Sequence, residues 1–351
     1  MNDKKTFCLR QGFGLNIKKY FFYERKKKLK KVLSLVLVGA LALSLAACSQ
    51  PASEEKSDAA ETVVVSVPDA EGNMVDVEFP ANAERVVVLN HQTMDFLDAV
   101  GMADKVVGYL DAGASVPEHL KKYAEDEKIT HVGSMKEIDM EAVMSLEPDI
   151  IFSSDRTRKM YDEFSAIAPT YSAAVDYKAG FMNGYKTLAA THGKIFGVEG
   201  KVDKIIAGYD ERIAKIAEFS KGKTALLGIF AGGLNTLGNE GRASIIVNEM
   251  GFTNLQLENV NHGNVSSYEA WLELNPDWMF ILDKDSAVGT EAVAAKEQME
   301  VNNPVIAETS AFKNKQIVYL EPGTAWYVAD GGITSLDLMI SCIEKGIGLT
   351  K

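Results

Sequence analysis

Apolar residues in this chain fall in short runs separated by turn-forming residues, the rhythm of alternating strands and helices. Residues 62–67 and 74–79 are β-type runs flanking Asp69-Ala70-Glu71-Gly72-Asn73, which predicts a hairpin. Arg85-Val86-Val87-Val88-Leu89 predicts a buried strand ending at Asn90-His91-Gln92-Thr93. A helix over residues 94–100, closed by Gly101, and a strand at Val106-Val107-Gly108-Tyr109 follow. Strand, helix, strand at this spacing is the pattern of βαβ units, so the fold class is α/β with parallel sheets.

The pattern then repeats. Glu141-Ala142-Val143-Met144-Ser145-Leu146-Glu147-Pro148-Asp149-Ile150-Ile151-Phe152 is matched in the second half by Glu269-Ala270-Trp271-Leu272-Glu273-Leu274-Asn275-Pro276-Asp277-Trp278-Met279-Phe280. Each copy reads as a helix stopped before proline and handed to a buried strand. One copy is an ordinary helix-to-strand junction; two copies at the same point of similar-sized halves predict a pair of related α/β lobes. Between them, Val202, Ile205, Ile206, Tyr209, Ile213 and Ile216 fall at helical spacing over residues 201–219. At ~1.5 Å per residue that helix spans roughly 28 Å, enough to bridge two lobes. A rigid helical connector in place of a Gly/Pro-rich hinge implies lobes that move little.

The start of the chain has another character. Arg25-Lys26-Lys27-Lys28 and Lys30-Lys31 precede an apolar run over residues 32–47, which is short for a membrane-spanning helix and ends at Leu45-Ala46-Ala47-Cys48. This order resembles a bacterial lipoprotein signal, cut before Cys48 and lipidated on that thiol. Residues 49–60 read as a Ser/Ala/Glu/Lys-rich tether. Residues 1–28 read as an upstream extension, with Leu29 as a natural start. The expected divisions are therefore 1–28 (extension), 29–47 (signal peptide), 48–60 (lipidated tether), 61–182 (N-terminal lobe), 183–220 (connecting helices) and 221–351 (C-terminal lobe).

Charge narrows the function. The 351 residues carry 37 Lys and Arg against 49 Asp and Glu, net −12; beyond residue 48 the net is near −21. Such a surface repels nucleic acid and anionic lipid. Three cysteines, one assigned to lipid, leave no disulfide framework and no thiolate metal site; Cys342 reads as a small core hydrophobe. Catalytic signatures are missing: there is no G-x-S-x-G and no H-E-x-x-H, and Gly222-Lys223-Thr224 has Ala217 where a P-loop needs glycine. Asp283-Lys284-Asp285 fails as a calcium loop, and His91, His119, His131, His192 and His262 are scattered.

Open α/β sheets bind ligands at the C-terminal ends of their strands. There the sequence places Arg156 and Arg158 after Ile150-Ile151-Phe152, Lys284 after Met279-Phe280-Ile281-Leu282, and Arg242 before an apolar helix. Singly, each reads as a solvated surface charge. Together, Arg156, Arg242 and Lys284 predict an anion site in a cleft between the lobes, arginine being suited to bidentate donation toward oxygen-rich anions. Arg158, Asn90, His91 and Gln92 are weaker candidates.

These segments, with Ile167-Ala168-Pro169-Thr170, Asn261-His262-Gly263 and Trp326-Tyr327-Val328-Ala329-Asp330-Gly331-Gly332, resemble the substrate-binding lipoproteins of iron-siderophore ABC importers, in particular the catecholate group that takes enterobactin-type fragments and petrobactin. The resemblance covers residues 61–349. It implies two Rossmann-like lobes joined by one long α-helix, with the ligand cleft between them. It implies no catalysis and no intrinsic cofactor, the Fe3+ arriving inside the ferric siderophore. Arg156, Arg242 and Lys284 would face the anionic iron-catecholate, Lys284 standing where the family often has arginine. His262 and Tyr327 would complete iron coordination when the siderophore leaves two sites open, with Trp326 beside the ligand. Tyr327 also fits a core aromatic.

Glu141 and Glu269 align with the glutamates that dock this class on permease arginines; a solvated first-turn glutamate is the plain alternative. The implied partners are a ferric siderophore, an ABC permease with its ATPase, and the membrane through the lipid anchor, with no nucleic acid. The implied state is a monomer on the extracytoplasmic face of the cell membrane, of Gram-positive type. Haem, cobalamin or a bare divalent metal is the alternative cargo.

Overall fold

The computed structural model describes residues 61–113, 115–256, 264–265, 267–290, 293–301 and 303–350. Cys48 and His262 lie outside the described residues. No helix among the described residues is long and apolar enough to cross a membrane.

The hairpin forms as its sequence predicts: β1 (Thr62–Pro68) pairs antiparallel with β2 (Met74–Pro80), Val65 opposite Val77. It rests on the N-terminal lobe, where Lys194 Nζ donates to the Val64 carbonyl at 2.9 Å. That lobe is a parallel sheet in the order β5-β4-β3-β8-β9, built from β3 (Val86–Val88), β4 (Val106–Tyr109), β5 (Thr130–His131), β8 (Ile150–Ser154) and β9 (Thr170–Ala173). The short ribbon of β6 (Gly133–Ser134) and β7 (Glu137–Ile138) lies apart from it. Because side chains alternate along a strand, Val86, Val88, Ile150 and Phe152 enter one core while Val87, Leu89 and Ile151 enter another on the opposite face. Helices on both faces are what an apolar run without alternation requires.

The C-terminal lobe repeats the plan with a mixed sheet. β10 (Thr224–Phe230), β14 (Trp278–Asp283) and β15 (Ile317–Tyr319) run parallel. β11 (Leu234–Leu237) and β13 (Asn264–Val265) add antiparallel strands at one edge, and β12 (Thr253–Asn254) pairs with β10.

The internal repeat has a physical cause. Helices Met140–Ser145 and Tyr268–Leu274 (α2 and α6 below) each end one or two residues before a left-handed residue, Glu147 or Asn275, both at φ 43°. Proline follows, and then an aspartate that ties down the neighbouring strand. Asp149 Oδ2 accepts from the backbone N–H of Glu84 and Arg85 (2.8 and 2.9 Å) at the start of β3. Asp277 Oδ2 accepts from the Thr224 N–H and hydroxyl (2.8 Å each) at the start of β10. The motif is a strand-pinning device used once per lobe.

The helices that matter for the site, with those two numbered in chain order among them, are α1 (His91–Val100), α2 (Met140–Ser145), α3 (Phe181–Phe196), α4 (Glu199–Ser220), α5 (Ile245–Asn248), α6 (Tyr268–Leu274), α7 (Lys284–Ala287), α8 (Gly323–Tyr327) and α9 (Ile333–Gly346). The connector is α4, whose 22 residues run about 33 Å. It buries Val202, Tyr209, Ile213 and Ile216, the stripe its sequence predicts.

The last helix, α9, joins the lobes: it packs on α8 and β15 of the C-terminal lobe, on α4, and on α1 of the N-terminal lobe. Arg212 of α4 reaches Asp337 (2.5 Å) and Glu344 (2.7 Å), and Tyr209 donates to the Ile333 carbonyl at 2.8 Å. One apolar core therefore runs from Val86 and Phe152 through α4 to Phe280 and Ile340.

Candidate ligand-binding site

After β9, Tyr177 of the N-terminal lobe donates its hydroxyl to Asp330 Oδ2 in the segment between α8 and α9. That contact ties the two lobes together.

Around it the C-terminal lobe assembles its candidates. Arg242 lies on the turn before α5, half-buried, its guanidinium 4.3 Å from the centre of the Tyr327 ring; Nε donates to the Tyr327 carbonyl at 3.3 Å. Tyr327 ends α8 half-buried, and α8 packs on α7, where a Cβ on Gly323 would sit 3.0 Å from Ala287 Cβ. Lys284 opens α7 after its N-cap Asp283, with its ammonium 3.9 Å from Asp285 and its side chain 32% exposed. Asp285 is held in turn by the Gly232 N–H at 2.7 Å. The helix that carries Tyr327 thus touches both the Arg242 side chain and the helix that carries Lys284.

On the opposite lobe Arg156 stands exposed on the 3-10 turn Asp155–Met160, directly after β8; among the described residues no ion pair engages it. Arg158 is turned elsewhere. It pairs with Asp155 at 2.9 Å and lies against the hairpin turn at Gly72, so the structure does not bring it to Arg242.

Two sequence expectations are corrected. Trp326 does not line the cleft: it is 0% exposed and belongs to the main core. Neighbouring residues on a helix point about 100° apart, so with Tyr327 at the cleft Trp326 faces inward. His91 is not a strand-end ligand either. The strand stops at Val88 and the helix starts at His91, because Asn90 serves as N-cap and accepts from the Thr93 N–H at 2.7 Å. The His91 ring, 1% exposed, meets the Tyr109 hydroxyl at 2.6 Å, and burial, with the charge of His119 second, pulls its pKa down to about 4. Gln92 is also buried, donating to the Ala173 carbonyl at 2.6 Å. Cys342, assigned to the core, packs against it with its thiol pushed up to about 11 by burial.

Asp330 and Tyr177 carried no role in the sequence reading. Asp330 is 8% exposed. Burial pushes its carboxyl above the usual range, while the Arg242 charge, the Tyr177 hydroxyl and the backbone N–H groups of Asp330 and Gly331 favour the ionised form. Burial and the Asp330 charge hold the Tyr177 phenol well above its ordinary value. The partners lie 153 positions apart, so no local pattern could have paired them.

Glu141 and Glu269 occupy equivalent exposed positions in the first turns of α2 and α6, behind the N-caps Asp139 and Ser267. Met144 (57% exposed) and Leu274 (42%) lie on the same two helices. Among the described residues no group of three His, Cys, Asp or Glu is placed to hold a bare metal ion.

Known proteins share this architecture. The petrobactin-binding protein YclQ of Bacillus subtilis is 33% identical over 326 residues, which is 91% of this chain and 99% of YclQ. Its crystal structure superposes with a TM-score of 0.73, covering 82% of this chain and 99% of that one. The ferric-anguibactin-binding protein FatB of Vibrio anguillarum is 28% identical over 287 residues, 79% of this chain and 86% of FatB. The periplasmic catecholate-siderophore binding protein VctP of Vibrio cholerae matches at 28% identity and a TM-score of 0.73, covering 81% of this chain and all of that one. The family model described as periplasmic binding protein matches residues 86–324. With two α/β lobes and a helical connector, the chain belongs to the periplasmic binding protein family, whose members bind substrates and are not enzymes.

Proposed function

We propose that the protein is a lipid-anchored, extracytoplasmic receptor that captures a ferric siderophore of the catecholate class and hands it to an ABC importer. The carrying observation is the Arg242–Tyr327 stack, with Lys284 on the helix packed against that of Tyr327 and Arg156 exposed on the other lobe. A planar cation fixed on a phenol ring, in a chain of net charge −12, is a local anion site set against the global field. Relatives named for petrobactin, anguibactin and catecholate siderophores support that class of cargo. Anchoring through Cys48 rests on the signal-like segment before it and on other relatives named as lipoproteins of ABC transporters. Glu141 and Glu269 would meet the permease, their matched placement suiting a partner with two similar halves.

The reading is tested by Arg242→Ala and Arg156→Ala. Each is expected to weaken binding of a ferric catecholate by about 1–3 kcal/mol, roughly tenfold to a hundredfold, with thermal stability nearly unchanged. If both bind as wild type does in calorimetric titrations, the anion site is elsewhere.

Direct iron coordination by His262 and Tyr327 is a separate expectation. A bis-catecholate leaves two iron sites open that imidazole and phenolate can fill, whereas a tris-catecholate leaves none. The double change His262→Ala with Tyr327→Phe should therefore weaken the bis-catecholate much more than the tris-catecholate and remove a tyrosinate-to-iron band from the visible spectrum. Equal losses without spectral change would mean that the two residues only line the pocket.

A further inference from the structure

The cleft floor holds a negative charge that an anion receptor has no evident use for. Asp330 is 8% exposed, its Oδ2 takes the Tyr177 hydroxyl from the other lobe, and the Arg242 charge acts on both partners. A buried carboxylate within reach of the charge of the cation meant for the ligand opposes the ligand's own charge. Its surroundings are held by hydrogen bonds and by a closely packed backbone. Tyr177 holds it from the front, and the backbone N–H groups of Asp330 and Gly331 hold it locally. Gly331 and Gly332, which follow it, are confined, because a Cβ would come within 2.7 Å of Gln92 Oε1 at the first and 2.4 Å of the Asp95 carboxylate at the second. The backbone that carries the carboxylate has little room to shift when a ligand enters, so its repulsion stays with the site.

We propose that Asp330 is a specificity-determining residue: it offsets part of the Arg242 charge and so sets how highly charged an anion the cleft prefers. The inference rests on the ferric-siderophore reading above and adds a selector to it. With Asp330 present, Arg242 remains a directional hydrogen-bond donor and ring-stacked plane, but the net potential at the floor is lower. Shape and donor geometry then count for more, and raw charge for less, in choosing among iron complexes.

The test uses ligands that differ in charge. A ferric tris-catecholate is a trianion and a ferric trihydroxamate is neutral; a ferric bis-catecholate is the intermediate case. Asp330→Asn keeps the size of the side chain and an oxygen able to accept from Tyr177, and removes only the charge. Titration calorimetry at moderate salt should show the affinity ratio of tris-catecholate to neutral complex rising about tenfold over wild type, with the bis-catecholate between them. Binding of the trianion should also become more salt-sensitive. Tyr177→Phe keeps the charge and loses the cross-cleft hydrogen bond, so it should shift all ligands by one common factor and hold the ratio within about twofold of wild type. An Asp330→Asn ratio equal to wild type, or a uniform loss for all three complexes, overturns the selector and leaves the receptor reading intact. A wild-type protein that binds none of the three overturns both.

Discussion

Replacing Asp95 by alanine is expected to cost about 3–5 kcal/mol of stability, the largest loss from any single side chain discussed above. Asp95 sits on α1 and is 0% exposed, yet it serves a helix at the far end of the chain. Its carboxylate accepts from the Thr334 N–H (2.6 Å), the Ser335 N–H (2.9 Å) and the Ser335 hydroxyl (2.6 Å) at the first turn of α9, and meets His119 Nε2 at 2.8 Å. The first N–H groups of a helix have no partner within it and carry its positive dipole end, so a buried anion there satisfies both needs. Alanine would leave two backbone donors, a hydroxyl and an imidazole facing a void. Because α9 directly follows the segment with Tyr327 and Asp330, the same change should loosen the cleft floor. Denaturant unfolding reads the first effect; a loss under about 1 kcal/mol would show that α9 is held by its apolar face alone. Asp95→Asn separates charge from shape, since its amide nitrogen would oppose one of the α9 donors and should still cost a large part of the total.

How much of this was legible in the sequence follows from the range of each interaction. The strands announced themselves because Val86-Val87-Val88 and Trp278-Met279-Phe280 are apolar on both faces, which only a covered parallel sheet permits. The repeat announced itself because each copy writes its own junction, a helix ended at a left-handed residue before proline, although the strands that Asp149 and Asp277 tie down lie 53 to 65 positions away. The connector was visible as a periodic stripe, its ends off by one or two residues. Errors arose where a local signal had two readings. Asn90 marks both the end of a strand and the N-cap of a helix, and taking the first put His91 in the cleft when it is in the core. Trp326 and Tyr327 are adjacent, and a one-residue step on a helix separates core from cleft. Asp330 with Tyr177, and Asp95 with Ser335, were invisible because tertiary folding alone brings them together. The basic residues were legible as a set, but only the structure separates Arg242, stacked on Tyr327, from Arg158, engaged by Asp155.

The second large effect is a loss of stability in mild acid, set by two histidines that fold neutral. His192 is 1% exposed and lies against Phe152, with ring centres 5.1 Å apart. Its Nδ1 donates to the Leu188 carbonyl at 2.8 Å, which leaves Nε2 to accept from the Thr93 hydroxyl at 3.1 Å. Burial pulls its pKa down to about 4, as it does for His91. The unfolded chain titrates near 6.5, so below that pH it takes up protons that the folded protein refuses. Stability is therefore complete above about pH 6.5 and falls as the pH drops toward 4, each histidine accounting for about 3 kcal/mol by the bottom of the window. By pH 5.5, before most carboxylates titrate, the pair should already have cost about 3 kcal/mol relative to pH 7.5. Denaturation midpoints across that interval measure the slope, and His192→Leu should remove about half of it whatever it does to stability at pH 7.5. A slope unchanged in that variant would show that the imidazole takes up its proton in the folded state, which a ring enclosed by Phe96, Phe152 and Tyr171 gives little room to do.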